Sequence, residues 1–280
     1  MASGGIAAMQ SASRESLAEA TKRLDAHVDG AAAADLATLG DDLFAVLRLI
    51  VSEPTLRRHL ADPSVPAAAR TRLADQLFNG KIGRAALDIV SDTVSARWSR
   101  SADLEDAIEA LARRATLGVA EKDGSLDEVE DQLFRVGRIL DREPQLAQLL
   151  GDRTQPVDGR VGLLKKVLGN KVSPVTATLL EQAVRVPQGR SLDRAAEQLA
   201  ELAAARRDRS VAHVRTPVRL SPGQEQQLTE SLSRVYGRPI SLQVELDESL
   251  IGGLVVNVGD ELIDGSVASR IAAARRSLPS

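Results

Sequence analysis

Apolar residues recur at steps of three and four along most of the first 208 residues, which is the spacing of one apolar stripe per helix. The stretch 36–50 shows the pattern most clearly. Its apolar positions are Leu36, Leu39, Leu43, Val46, Leu47 and Ile50. Asp-Pro and Val-Pro pairs at 62–63 and 65–66 interrupt the pattern and mark a loop. The chain up to about residue 208 is therefore predicted to be a series of amphipathic helices.

The helical pattern repeats within the chain. The segment SEPTLRRHLADPSVPAAARTRLADQLFNGKI begins at Ser52, and REPQLAQLLGDRTQPVDGRVGLLKKVLGNKV begins at Arg142, an ungapped offset of 90 residues. Glu-Pro pairs stand at 53–54 and 143–144. Proline is tolerated in the first turn of a helix because its missing N–H has no partner to lose there. Each pair is thus predicted to end one helix and begin the next, and the segments are interpreted as a duplication.

Three similar helices flank the two repeated segments. They are predicted near 13–28, 101–120 and 191–207, and the second and third begin with the same Arg-Ser pair. The fold class that follows is mainly α, with two tandem helical bundles of six-helix type. One hypothesis is that the two bundles share the helix at 101–120.

The pattern changes from helical spacing to alternation after residue 208. Strands are predicted at 210–216, 240–246 and 253–259, where apolar and polar residues alternate or form a short valine-rich run. Ser-Pro-Gly-Gln at 221–224 is typical of a capped helix start. A last helix is expected at 267–278. The C-terminal part is therefore predicted to be a small α+β domain with the order β-α-β-β-α.

Composition narrows the classes of function. The 280 residues allow two or three domains, and aromatic residues make up only 2%. The 36 basic and 39 acidic residues are interspersed and give a net charge of −3, which argues against a dedicated nucleic-acid-binding surface. No apolar run approaches the ~18–20 residues that span a bilayer. Any contact with a membrane is expected through other proteins.

No pattern of catalytic or metal-binding residues emerges. The chain has no cysteine, and His27, His59 and His213 are isolated from one another. No phosphate-binding loop or nucleophile motif is present, and the abundant carboxylates are expected on solvated helix faces among arginines. No cofactor, metal or catalytic residue is therefore predicted.

The C-terminal glycine-rich segment carries a specific spacing of residues. Its positions are Leu246, Asp247, Leu250, Gly252, Gly253, Leu254, Val256, Asn257 and Gly259, followed by Asp264, Gly265 and Ser266. This pattern resembles the signature of the ATP synthase delta subunit, the bacterial counterpart of the mitochondrial oligomycin-sensitivity-conferring protein. From the residues alone, the glycines are expected to allow tight turns, and Asp264 to Ser266 are expected to open the last helix.

The resemblance covers about residues 104–280 and implies a division into domains. Residues 104–208 resemble the N-terminal helical domain of the family, and residues 209–280 resemble its stalk-binding C-terminal domain. Residues 1–103 depart from the common short form and are interpreted as a second copy of the helical domain. The chain thus resembles the long delta subunits of actinobacteria.

The resemblance also implies a function and partners. Delta subunits are non-catalytic parts of the peripheral stalk of the F-type, proton-transporting ATP synthase, and they hold the catalytic head against the torque of the rotor. The implied partners are the N-terminal segments of alpha subunits and the b subunits, with the beta subunit as a further candidate. The implied location is the cytoplasmic face of the cell membrane. The expected alpha-binding groove consists of Ile108, Leu111, Ala115, Val119, Val175, Leu179 and Val184.

Two other classes of function remain open from the sequence. A helical adaptor of another complex would explain the duplication but not the C-terminal signature. A nucleic-acid-binding module at 209–280 would use a basic patch of Arg206, Arg207, Arg209 and Arg215, although acidic residues around it count against this interpretation.

Overall fold

A computed structural model of the chain describes residues 9–209, 211–236, 240–247, 249–250, 252–258 and 261–265. The chain divides into two compact units, the first ending at Glu201 and the second beginning at Leu202. The helices before the division are α1 (Ser11–Gly30), α2 (Ala33–Ser52), α3 (Pro54–Ala61), α4 (Ala67–Phe78), α5 (Arg84–Ser95), α6 (Ser101–Lys122), α7 (Leu126–Arg142), α8 (Pro144–Gly151), α9 (Val157–Leu168) and α10 (Pro174–Arg185). Helix α11 (Leu192–Arg209) spans the division.

The helix bounds follow the internal repeat. Helices α8, α9 and α10 begin and end 90 residues after α3, α4 and α5, respectively. The loops repeat as well, because Asp62 Oδ1 accepts a hydrogen bond from the amide of Ser64 at 2.8 Å and Asp152 Oδ1 accepts one from the amide of Thr154 at 2.9 Å. We refer to α1–α5 as the first copy and to α7–α10 as the second copy.

Helix α6 packs against both copies. It contacts α1, α2, α3 and α5 on one side of the repeat and α7 and α10 on the other. Most of its apolar side chains from Leu104 to Ala120 are buried, and so are polar residues such as Asp103 and Glu109. The Ser13 hydroxyl donates to Asp103 Oδ2 at 2.7 Å, and Arg114 pairs with Asp25 of α1. A helix buried on most of its circumference is expected to lie at the centre of a bundle rather than at its surface.

The second unit is a small sheet with a helix packed against it. Its elements are β1 (Val211–Thr216), α12 (Pro222–Tyr236), β2 (Ser241–Leu246), β3 (Val255–Val258) and β4 (Glu261–Asp264). The strand order is β2-β1-β3-β4, with β1 parallel to β2 and the other pairs antiparallel. The buried core of this unit is Ala212, Val214, Leu232, Ile240, Val256 and Val258. The predicted helix start is confirmed, since the amide of Gln224 donates to the Ser221 hydroxyl at 3.3 Å.

The predicted fold class is confirmed, with one difference in the sheet. The described residues are mainly helical and end in a small α+β unit. The sequence predicted three strands, but Glu261–Asp264 forms a fourth strand beside β3. All four residues of β4 are exposed, so this strand carries no alternation of buried and exposed positions that could reveal it. The predicted helix at 267–278 lies outside the described residues.

Candidate functional site

The seven residues predicted to line an alpha-binding groove lie on α6 and α10, which contact each other. Six of them are buried, and Val119 is half-buried. The buried six are Ile108, Leu111, Ala115, Val175, Leu179 and Val184. They therefore contribute to the core of the helical unit. Their role in binding a partner stays a prediction.

Helix α2 of the first copy packs against α6 and reaches α10 through one side-chain hydrogen bond. Gly40 faces α6 so closely that a Cβ added to it would lie 2.5 Å from Thr116 Oγ1. Arg48 donates a hydrogen bond to Gln182 Oε1 of α10 at 2.8 Å. Gly40, Phe44 and Arg48 form a single i,i+4 row, which we call the α2 row. Phe44 stands between these two positions on the row and is only 1% exposed.

One face of α6 is acidic and pairs with side chains from separate parts of the chain. Glu105 pairs with Arg57 of α3 and accepts a hydrogen bond from Gln188, which follows α10, at 3.3 Å. Glu109 pairs with Arg113 on the same helix and with Arg190 at 2.7 Å. The expectation of carboxylates on solvated helix faces is wrong for Asp103 and Glu109, which are buried. Their ion pairs explain how these charges are tolerated inside the protein.

Asp106 lies in the middle of this acidic face. Burial, together with the neighbouring carboxylates of Glu109 and Glu105, raises the pKa of Asp106 to about 6, against the opposing effect of Arg190. A carboxylate with a raised pKa in the folded protein destabilises the fold at every pH at which it is ionised. Asp106 therefore opposes the packing of the central helix at neutral pH.

Replacing Asp106 with asparagine is expected to stabilise the protein at pH 7.5 by about 1–2 kcal/mol, a figure reduced for solvent screening of this half-buried group. The folded-state pKa lies above the ordinary value of 3.8. The destabilisation by wild-type Asp106 is thus fully present above pH 6 and disappears as the pH falls towards 4. Urea unfolding at several pH values measures the difference.

The control is Asp131→Asn on α7, which removes an exposed ion pair with Arg135. This substitution is expected to change the free energy of unfolding by less than about 1 kcal/mol. An Asp106→Asn variant whose stability equals that of the wild type at both pH 7.5 and pH 4 would contradict the assignment.

The first part of the C-terminal signature builds the turn after β2. The amide of Asp247 donates to Thr216 O at 2.9 Å and extends the pairing of β1 and β2. Its carboxylate accepts hydrogen bonds from the Ser249 amide at 3.0 Å and from Arg215 at 3.2 Å. The hydrogen bonds from the Ser249 hydroxyl and amide hold the pKa of Asp247 below its usual range. The Leu250 amide donates to Asp247 O at 3.1 Å, while Leu246 is half exposed.

The second part of the signature builds the turns around β3. Gly253 has a φ of +81°, a backbone conformation that side chains with a Cβ rarely adopt. Leu254 packs against the core of the sheet, Val256 is buried, and Asn257 is exposed on β3. Of the remaining signature positions, Gly252 is half-buried before Gly253, Asp264 ends β4, and Gly259 and Ser266 lie outside the described residues.

Gly265 closes the hairpin that contains β3 and β4. Its amide donates to Leu254 O at 3.0 Å, and a Cβ at Gly265 would lie 3.1 Å from that oxygen. The described signature residues therefore shape the sheet, and none of them forms a reactive arrangement. Asp264 is the last residue of β4, and the helix that Asp264 to Ser266 are expected to open lies outside the described residues.

The predicted basic patch does not form one open cationic surface. Arg206 is buried, Arg207 pairs with Asp208 at 3.0 Å, and Arg215 pairs with Asp247 at 3.2 Å. The side chain of Arg209 is not among those described. These arginines are thus occupied within the protein, which leaves the nucleic-acid interpretation without its expected surface.

Other features of the described residues indicate no catalytic or metal-binding site. A cavity of about 580 Å³ lies between α1, α2 and α5, and one of its carboxylates, Asp42, already accepts a hydrogen bond from the Gly83 amide at 2.8 Å. No group of three metal-binding side chains lies within the described part of the chain. None of the helices that the structure describes has the length and apolar character needed to cross a bilayer.

Comparison with known proteins identifies similar chains. A family model described as ATP synthase delta (OSCP) subunit matches residues 112–278. The chain is 47% identical over 277 residues to ATP synthase subunit delta of Parafrankia sp. (strain EAN1pec), a match that covers 96% of this chain and 99% of that protein. It is 46% identical over 271 residues to ATP synthase subunit b-delta of Mycobacterium sp. (strain KMS).

The b-delta match covers 97% of this chain but 61% of the Mycobacterium protein. The chain thus spans about three fifths of the length of that relative. Among solved structures, a chain of the Toxoplasma gondii mitochondrial ATP synthase hexamer is 20% identical, with a TM-score of 0.32, and the match covers 61% of this chain and 98% of that chain. A similarity with so low a TM-score supports no conclusion about this chain.

Proposed function

Because the chain belongs to the ATP synthase delta (OSCP) subunit family, we propose that it is a non-catalytic subunit of the peripheral stalk of an F-type ATP synthase. In this role it joins the catalytic head to the stalk and resists the torque of the rotor. The single observation that carries the proposal is the match to a delta subunit over 96% of this chain and 99% of that protein, which includes both helical copies.

The packing of the first unit suits a part that transmits force. Helix α6 contacts helices of both copies and forms ion pairs with Asp25, Arg57 and Arg190, so that neither copy can shift without disturbing this helix. Close-packed interiors have low compressibility and transmit strain. The proposed mechanism is therefore mechanical, and no step of it requires a catalytic residue.

The proposed partners are the N-terminal segments of alpha subunits and the b subunits, with beta as a further candidate. The alpha contact is proposed on the helical copies and the b contact on the unit that contains the sheet. Because six of the seven groove residues are buried, an alpha segment reaches them only if a covering helix such as α2 moves. The proposed location is the cytoplasmic face of the cell membrane, with attachment through the complex.

The experiment that tests this function is a tagged pull-down from gently solubilised native membranes, with the bound chains identified by mass spectrometry. Recovery of alpha, beta and b subunits in complex-like ratios is the expected result. A clean preparation of the folded chain without these subunits would favour the alternative function, a helical adaptor of another complex.

A variant of the glycine turn tests where b binds. Replacing Gly253 with valine forces a β-branched residue into the left-handed region and is expected to disturb the connection from β2 to β3. If b binds the sheet unit, recovery of b should fall at least about tenfold, a loss of about 1.4 kcal/mol or more, while alpha is retained. The matched control is Gly162→Val, because the site of Gly162 on α9 is open. Full recovery of b with Gly253→Val would contradict this placement.

A further inference from the structure

The connection between α10 and α11 is strained and is held by polar side chains. We call its residues 186–190 the strap. Gln188 has a φ of +45°, and no other residue with a Cβ among those described has a positive φ. Gln188 donates to Glu105 Oε1 at 3.3 Å, and Arg190 donates to Glu109 Oε2 at 2.7 Å. The strap is therefore fastened to the acidic face of α6.

Asp106 stands on α6 between the two carboxylates that fasten the strap, and it is half-buried. None of the described residues donates a hydrogen bond to it. Its carboxyl group, with a pKa raised by burial and by neighbouring carboxylates, gains a proton at a higher pH than an ordinary aspartate does. The charged groups around it are Asp103, Glu105, Glu109 and Arg113 of α6 and Arg190 of the strap, and Arg57 of α3 pairs with Glu105.

The first copy has a neutral donor in the position of Asp106. Ser16 stands 90 residues earlier, and its hydroxyl donates to Arg97 O at 2.8 Å. Arg97 belongs to the connection between α5 and α6, and its counterpart in the strap is Pro187. A protonated carboxyl group has an O–H that donates in the same way, whereas an ionised carboxylate only accepts. Pro187 O accepts from the Arg190 amide at 2.8 Å and has a second lone pair for another donor.

We propose that Asp106 is a proton-dependent latch that fastens the strap to α6. In its protonated form the carboxyl group donates to Pro187 O, as the serine hydroxyl does for the corresponding connection in the first copy, and it no longer repels Glu105 and Glu109. In its ionised form this donor is absent and the three carboxylates repel one another, so the strap opens more often. Proton uptake by α6 thus controls how firmly the start of α11 is held.

The direction of the pH effect follows from the charges. Protonation of Asp106 removes its repulsion by Glu105 and Glu109 and also its attraction to Arg190. Burial and repulsion outweigh the attraction, since the pKa of Asp106 is raised from its ordinary value of 3.8 to about 6. Opening the strap exposes the carboxyl group and returns its pKa towards the ordinary value, so that closing takes up a proton. The closed strap is therefore least favoured above pH 6 and is increasingly favoured as the pH falls towards 4.

Hydrogen–deuterium exchange of the purified full chain, measured by mass spectrometry on peptides that cover 186–191, tests the latch. After correction for the intrinsic exchange rates, opening of the strap is expected to be about tenfold rarer at pH 5 than at pH 7.5. Peptides that cover 97–100 are the internal control, because Ser16 holds that connection without a titratable group, and their opening should be the same at both pH values. Equal opening of the strap at the two pH values would overturn the proposal.

Two substitutions separate the donor from the charge. Asp106→Asn keeps a donor without the charge, so at pH 7.5 its strap should open as rarely as that of the wild type at pH 5. Asp106→Ala removes both, and its strap should open severalfold more often than that of Asp106→Asn at either pH. A pH dependence that persists in Asp106→Asn, or equal opening in the two variants, would contradict the latch. These outcomes are independent of the proposed stalk role, since all are measured on the purified chain.

Discussion

Replacing Arg70 with alanine is expected to lower the free energy of unfolding by about 3–5 kcal/mol. The side chain is 3% exposed and lies at the end of α5. It donates to Val94 O at 2.5 Å, Ala96 O at 2.7 Å and Ser95 O at 3.1 Å, and its Nε donates to Val65 O at 3.2 Å. The last carbonyls of a helix have no partner within the helix, so the guanidinium satisfies groups that would otherwise be buried alone.

The repeat provides a matched comparison for Arg70. Arg160 stands 90 residues later and donates to Leu150 O at 3.2 Å and Val184 O at 3.0 Å, but its buried Nε has no hydrogen-bond partner in the structure. Arg160→Ala is therefore expected to cost less, about 2–3 kcal/mol. Arg70→Lys keeps the charge without the planar fork and should recover only part of the loss.

Urea unfolding followed by two signals measures these effects. Far-UV circular dichroism reports the helices, and the fluorescence of Trp98, the single tryptophan, reports the first copy. Trp98 is buried and donates to Thr93 O at 2.9 Å. An Arg70→Ala variant as stable as the wild type, or less affected than Arg160→Ala, would contradict the structural argument.

Replacing Gly40 with leucine is expected to destabilise the protein by about 3 kcal/mol or more, because it pushes α2 away from the central helix. Glycine inside a helix costs about 1 kcal/mol relative to alanine, so its presence in α2 needs a reason. The reason is the close approach of Thr116, whose Oγ1 would lie 2.5 Å and whose backbone nitrogen would lie 3.4 Å from an added Cβ.

A smaller pair of substitutions tests the same contact. Gly40→Ala is expected to destabilise by about 1–2 kcal/mol, and adding Thr116→Ala should recover part of this loss, since it removes the hydroxyl that meets the new Cβ. Gly162→Ala on α9 is the control. Its site is open within 4 Å, so this substitution should stabilise by up to about 1 kcal/mol. If Gly40→Ala stabilised the protein as much as Gly162→Ala does, the close packing of α2 on α6 would be refuted.

Much of the helical fold could be predicted because its signals are local. The Glu-Pro pairs at 53–54 and 143–144 mark the starts of α3 and α8, and the ungapped repeat places three helices of the second copy at the observed residues. Strand β4 was missed because its four residues are all exposed, so that no periodic pattern distinguishes them from a loop. The division at residues 103 and 208 stays a prediction.

The contacts between helices could not be predicted in the same way. Phe44 and Phe134 occupy equivalent positions of the internal repeat, yet one is buried and the other is half exposed. The difference depends on which other helices pack against these two positions, and an amphipathic pattern does not show which helices those are. For the same reason, the acidic residues of α6 were interpreted as solvated, although ion pairs with Arg57 and Arg190 from separate parts of the chain enclose them.

The measurement that tests the central claim most directly is the coupling of ATP hydrolysis to proton pumping. Complexes depleted of this chain and reconstituted into vesicles are expected to hydrolyse ATP without acidifying the lumen, because the head is no longer held against the rotor. Adding the purified chain back should restore acidification at an unchanged rate of hydrolysis. Full acidification by complexes shown to lack the chain would contradict its role in the stalk.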